Sequence, residues 1–174
     1  MKPSKFVKTS LREYLNEQHE DNTINDNFWK WFDGSKIVDE QGRPLIVYHG
    51  SQVSFDEFYG DAYFTDDWHN ADGYATGEYV YEVYLSIKNP IVIDGNGKKW
   101  DNIKTPYGVT TQDVVANVDR SIYDGIIFVN IKDNWIDDED YQDPSTVYVT
   151  FSPNQIKSVE NDGSWDEDDS NIYS

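Results

Sequence analysis

Apolar positions along this chain fall first at helical spacing and then into short runs and alternations, so its elements are told apart by period. Between Ser4 and Gln18, Phe6, Val7, Leu11, Tyr14 and Leu15 recur with polar residues between them, which predicts a short amphipathic helix. Asn16 to Asn27 is polar and reads as a linker. Phe28, Trp29, Trp31 and Phe32 fit a second short helix, ended by Asp33-Gly34 and packed as an aromatic lid on a core. From Lys36 onward the period shortens to that of strands. Ile37-Val38 comes first, then a turn at Asp39 to Gly42, then a near-continuous apolar strand from Pro44 to His49. Trp68 to Thr76 predicts a short helix with Asp66 or Asp67 as its cap. In Val80 to Ile87, Tyr81, Val83, Leu85 and Ile87 alternate with Val80, Glu82, Tyr84 and Ser86, the period of a half-buried strand. Ile91 to Ile93 resumes the strand pattern after Asn89-Pro90 and stops at a turn, Asp94-Gly95-Asn96-Gly97. Thr111 to Ser121 predicts a helix, Gly125 to Asn130 a buried strand, Asp137 to Asp143 an acidic loop, and Val147 to Phe151 a last strand closed by Pro153. Gly95 to Gln112 carries no periodic pattern.

Many short strands, few short helices and no repeated strand-helix-strand unit predict the α+β class. At 174 residues the chain is long enough for one cored domain, expected over residues 28–160, with an N-terminal helix and linker over 1–27 and an acidic tail over 161–174. The formal net charge is −19, a surface that repels phosphate backbones and makes nucleic acid an unexpected partner. Solubility accounts for that charge most simply, and an acidic face that imitates DNA or attracts a basic protein comes next. With no cysteine and only His19, His49 and His69 dispersed along the chain, no metal site is expected. No apolar run long enough for a membrane span and no secretory leader are present, so a soluble, cytoplasmic protein is expected.

The chemistry concentrates between Leu45 and Ala75. Val47-Tyr48-His49-Gly50-Ser51 is followed by Asp61-Ala62-Tyr63-Phe64-Thr65-Asp66, and Tyr74 comes eleven residues after Tyr63. Further on stand Asp124-Gly125-Ile126-Ile127 and the closing run Phe151-Ser152-Pro153-Asn154-Gln155-Ile156-Lys157-Ser158. Taken singly, His49 reads as a satisfied half-buried histidine and the tyrosines as core aromatics. Together, in this order, the four motifs resemble the catalytic core of ADP-ribosyltransferases of the diphtheria toxin and poly(ADP-ribose) polymerase type, nearest to those of phage and polyvalent mobile-element proteins. The resemblance spans Lys36 to Glu160 and implies the ADP-ribosyltransferase fold: split antiparallel β-sheets with short helices. It also implies NAD as co-substrate. Cleavage between nicotinamide and ribose passes through an oxocarbenium-like state, so such a site orients the ribose, holds the leaving ring and stabilises positive charge. His49 would bind a ribose hydroxyl, and the backbone at Gly50 would meet the nicotinamide carboxamide. Ser51 would add a hydrogen bond, and Tyr63 and Tyr74, beside Phe64, would clamp the ring.

At the third catalytic position this sequence departs from the pattern. The glutamate of polymerising members falls on Val147, which cannot bind a ribose hydroxyl, and the resemblance then implies transfer of a single ADP-ribose. Asp143, in the acidic loop, is the alternative carboxylate; Asp124 is a weaker one, and Gln155 is expected to serve the turn after the last strand. The implied activity is a phage-encoded mono-ADP-ribosyltransferase acting on a host protein, with a silent acidic binding protein or an NAD glycohydrolase as competing readings. Leu15-Asn16-Glu17 resembles a site cut by tailed-phage head proteases, which would accompany packaging in the virion.

Overall fold

The computed structural model describes residues 24–133 and 143–174. The amphipathic segment expected over 4–18 lies outside the described residues, as do His19, most of the linker and the acidic loop up to residue 142. The order of elements is α1 (Asp26–Phe32), β1 (Val47–Ser51), β2 (Ala62–Thr65), α2 (Trp68–Ala75), β3 (Tyr79–Leu85), β4 (Pro90–Lys99), α3 (Thr111–Asn117), β5 (Gly125–Lys132), β6 (Ser145–Thr150) and β7 (Ile156–Ser158).

The strands form a mixed sheet in the order β4-β5-β6-β2-β1-β3-β7, antiparallel but for the parallel pair β4-β5. Its centre is its weakest seam. Where β1 pairs β3 over five positions and β2 pairs β6 over four, β1 and β2 pair at Tyr48–Thr65 alone. The seven strands form one mixed sheet whose halves, β4-β5-β6-β2 and β1-β3-β7, meet through that single pair, consistent with the fold that the resemblance implied.

Strand alternation places a core on each face. Along β6, Tyr148 joins Val47, Phe64, Val83 and Leu85 in one cluster, while Val147 and Val149 join Ile126, Phe128 and the Val114-Val115 pair of α3 in another. A third cluster is almost wholly aromatic. Phe28 of α1 packs against Phe32, Tyr84 and Trp165 with ring centroids 4.8–5.2 Å apart, so the expected lid is a structural plug on β3. Asn25 caps α1 by accepting from the amides of Asn27 and Phe28.

Two local expectations are corrected. Asp94-Gly95-Asn96-Gly97 is a bulge inside the long strand β4, where pairing with β5 shifts register between Asp94 and Lys98. Asn96 and Gly97 take positive φ, and the Asp94 carboxylate accepts the Asn96 amide, which makes a turn without ending the strand. Residues 161–174, expected as a tail, pack on the domain: Asn161, Trp165 and Ile172 are buried. Their anchor is Lys157, fully buried on β7, whose ammonium donates to the carbonyls of Asp169 (2.8 Å) and Asn171 (2.9 Å). Burial lowers the Lys157 pKa, and the nearby charges of Asp169, Asp166 and Asp162 act against that loss.

Trp165→Ala is expected to destabilise the domain by about 3–5 kcal/mol, because it empties the centre of the aromatic plug. Urea denaturation checks this; a loss below about 1 kcal/mol would mean that the segment does not hold α1 in place.

Candidate active site

His49, Gly50, Ser51, Tyr63, Phe64 and Tyr74 all line one cavity of about 820 Å³, within the size range of cofactor pockets. It opens where β1 and β2 part. Beyond the single Tyr48–Thr65 pair, the His49 ring takes over the contact between the two strands: Nδ1 lies 2.7 Å from the Tyr63 carbonyl oxygen. A carbonyl only accepts, so Nδ1 carries the proton and Nε2 is left as an acceptor. Phe58, Phe64, Phe55 and Tyr81 surround the imidazole with centroids 5.0–6.5 Å away. Burial in that cage depresses the His49 pKa, only partly offset by the bond to Tyr63. Phe64 is itself buried, so it supports His49 from the core.

Gly50 has a stricter reason for being glycine than approach to a ligand. A Cβ there would stand 1.8 Å from the Ala71 carbonyl oxygen and 2.7 Å from the Ala75 amide of α2. Only glycine lets α2 lie directly on β1, with Asp67 capping the helix through the His69 amide. That contact carries Tyr74, in the last turn of α2, to the cavity. The Ser51 hydroxyl donates to the Val53 carbonyl (2.8 Å) and accepts the Val53 amide (3.1 Å), so its proton is committed to a local turn. Tyr63 is placed by β2, whose start is held by a bidentate pair between Arg120 and Asp61, both contacts 2.8 Å, with the guanidinium 4.2 Å from the Phe151 ring centre. Burial first, then Asp61 and Asp133, raise the Tyr63 pKa and keep the phenol protonated.

The two residues expected at the third position do not line the cavity. Val147 is buried in the core cluster with Phe128, and Asp143 is exposed. Asp124 accepts the amides of Lys88 and Asn89 at 2.7 Å each, a loop-fastening role. Gln155 serves its turn as expected, accepting from Phe151 and Ser152 and donating to Ser86 and Asp124.

Other cavity residues escaped the sequence pattern. Lys99, Trp100 and Gln112 come from the stretch without period, and Lys99 is the one lysine or arginine among the described lining residues. Asp133 is the one acid among them. It follows β5 directly, and the Tyr74 hydroxyl donates to its Oδ1 at 3.1 Å. Burial raises its pKa to about 6, with the Tyr74 bond acting in the other direction. The strand expected over Gly125 to Asn130 continues to Lys132, past Asn130 at φ 53 and a register shift, and so brings Asp133 to the wall.

The α+β architecture, with a mixed and mostly antiparallel sheet, is consistent with the ADP-ribosyltransferase fold, and His49, Tyr63 and Tyr74 line one cavity. The chain matches the family described as ADP-Ribosyltransferase in polyvalent proteins over residues 39–166, about three quarters of its length, and belongs to that family. Neither a curated protein nor a solved structure matches it. No helix among the described residues is long and apolar enough to cross a membrane.

Two measurements check this geometry. The His49 ring, followed by NMR against pH, is expected to stay neutral below its ordinary value of about 6.5. Protons then bind the unfolded chain first, so stability falls as pH drops through about 6.5 and His49 contributes no pH dependence above it. A ring that titrates at or above that value would contradict the cage. Gly50→Ala is expected to cost about 3 kcal/mol or more in thermal or urea melts, as α2 is forced off β1; a neutral substitution would contradict the close approach.

Proposed function

We propose that this protein transfers a single ADP-ribose from NAD to a protein side chain and releases nicotinamide. The observation that carries the reading is the neutral His49, its Nε2 an acceptor, in one cavity with Tyr63 and Tyr74. Membership of an ADP-ribosyltransferase family supports NAD as the donor. Nε2 accepts a ribose hydroxyl and fixes the sugar. Tyr63 and Tyr74, both neutral phenols, offer faces to the nicotinamide, whose ring loses its positive charge as the bond to ribose breaks. Lys99 supplies a cation for the pyrophosphate, since it is the one lysine or arginine among the described residues of the cavity wall.

Single transfer rests on Val147. Where polymerising members carry a glutamate, this chain buries an apolar side chain in the core. A basic protein is the favoured acceptor, because a net charge of −19 attracts cationic surfaces and repels nucleic acid. In this reading the protein is phage-encoded and acts on a host protein in the host cytoplasm.

Incubation of the purified chain with NAD labelled in its adenylate half and a bacterial lysate tests the reading. Label is expected on discrete protein bands, with nicotinamide released in step. His49→Ala and Tyr63→Ala are expected to lower kcat/KM by about 10²-fold or more while leaving the circular dichroism spectrum in place. Nicotinamide release without protein label would replace transfer by hydrolysis. Neither signal, from a folded protein, would leave a silent binding protein as the better account.

A further inference from the structure

The cavity contains one carboxylate that the resemblance does not assign. Asp133 stands at the end of β5, across from α2, and lines the wall with His49 and Tyr63. Among the described residues the Tyr74 hydroxyl is the one hydrogen-bond donor to its side chain, engaging Oδ1. The same hydroxyl lies 3.4 Å from the Asp133 backbone carbonyl, so residue and tyrosine are held as a pair. Val147 has no polar atom in its side chain, and Asp143 lies outside the cavity wall.

The geometry points to Asp133 as the catalytic carboxylate of this site, the base that takes the acceptor's proton as ADP-ribose is transferred. This rests on the transferase reading above. The bond between the nicotinamide nitrogen and C1′ of the ribose breaks, and its electron pair leaves with the ring, which becomes neutral nicotinamide. A lone pair on the acceptor nitrogen or oxygen forms the new bond to C1′. The acceptor's proton passes to the Asp133 carboxylate and from there to water, so NAD and the protonated acceptor give nicotinamide, the ADP-ribosylated acceptor and one proton. While positive charge develops on the sugar, the same carboxylate is the one described anion of the cavity wall able to stabilise it. A carboxyl group buried enough to titrate near pH 6 is ionised in most molecules at neutral pH and remains a useful base.

Asp133→Asn, Asp133→Glu and Tyr74→Phe separate this role from a structural one. The readouts are protein labelling from adenylate-labelled NAD in a bacterial lysate, nicotinamide release with water alone as acceptor, NAD binding by calorimetry, and the thermal midpoint. Asp133→Asn is expected to keep NAD affinity within about threefold and to lower the labelling rate by about 10²–10⁴-fold, the range of lost general-base catalysis. Asp133→Glu should recover part of that rate. Tyr74→Phe, which removes the hydroxyl alone, should lose much less.

The pH profile adds a signature that a merely structural residue would not give. The other titratable groups of the described cavity wall are Tyr48 and His49 of β1, Tyr63 of β2, Tyr74 of α2 and Lys99 of β4, of which Tyr74 hydrogen-bonds the carboxylate and Tyr63 feels its charge. Wild-type kcat/KM should fall with acid near pH 6, and that limb should vanish in Asp133→Asn. If Asp133→Asn labels at the wild-type rate, or keeps the limb, the carboxylate assignment falls and the transferase reading stands. If it loses NAD binding and labelling alike, and Tyr74→Phe does the same, Asp133 is a wall residue only. A wild-type chain that neither labels protein nor releases nicotinamide removes the transferase reading, and the assignment with it.

Discussion

One hydrogen bond, from the His49 imidazole to the Tyr63 carbonyl, bridges the place where the sheet stops being continuous. An antiparallel ladder that continued past Tyr48–Thr65 would zip β1 to β2 through backbone groups and leave no room between them. Here the ladder ends after one pair, and a side chain joins the strands instead. That exchange leaves a cavity while still giving the part-buried Tyr63 carbonyl a hydrogen-bond partner. It also decides the chemistry of the ring. With Nδ1 spent on the backbone and burial among aromatics lowering its pKa, the ring favours the neutral form, with Nε2 as acceptor. Fold and site meet in the same bond.

The other side chains reach the cavity by separate supports on either side of that seam. Tyr63 comes from the β2 half, fastened by the Arg120–Asp61 pair and the Phe151 ring. Tyr74 comes from α2, which rides on the β1 half through the Gly50 contact. The link from Tyr74 to Asp133 then runs back across the opening to β5, in the first half. Two side-chain hydrogen bonds therefore bridge elements that line the cavity, one from His49 to Tyr63 and one from Tyr74 to Asp133. Two independent ties across a divided sheet keep the tyrosines in register with the histidine, a requirement for any reaction that needs ring and sugar held at once.

Period and motif made most of the frame legible. The helix at Trp68, its Asp67 cap, the alternating strand that became β3 and the buried strand at Gly125 all follow from local pattern. Residues 45–75 likewise pointed to residues that share one cavity wall, because His49, Gly50, Tyr63 and Tyr74 lie on elements close in sequence. What stayed hidden depends on long-range pairing. Lys99 and Trp100 reach the wall because β4 continues through a bulge to pair in parallel with β5, and a bulge of Asp, Gly and Asn looks locally like a turn. The acidic segment after Lys157 looked detached because charge alone cannot reveal that its carbonyls enclose a buried ammonium.

The third position shows why aligned sequence and occupied space need not agree. On β6, alternation sends Val147 into the core shared with Phe128 and the α3 valines. A glutamate at that point would have to bury a charge among apolar side chains or displace them, either at a cost of several kcal/mol. Valine therefore suits this packing, and the chain meets any need for a carboxylate from another direction. The end of β5 lies beside the same cavity, and a residue just past a strand terminus reaches inward without breaking the core beneath it. Asp133 occupies that place and accepts a hydrogen bond from the Tyr74 hydroxyl. In the proposed reaction the carboxylate thus comes from a strand end beside the cavity, not from the β6 position that packing fills with Val147.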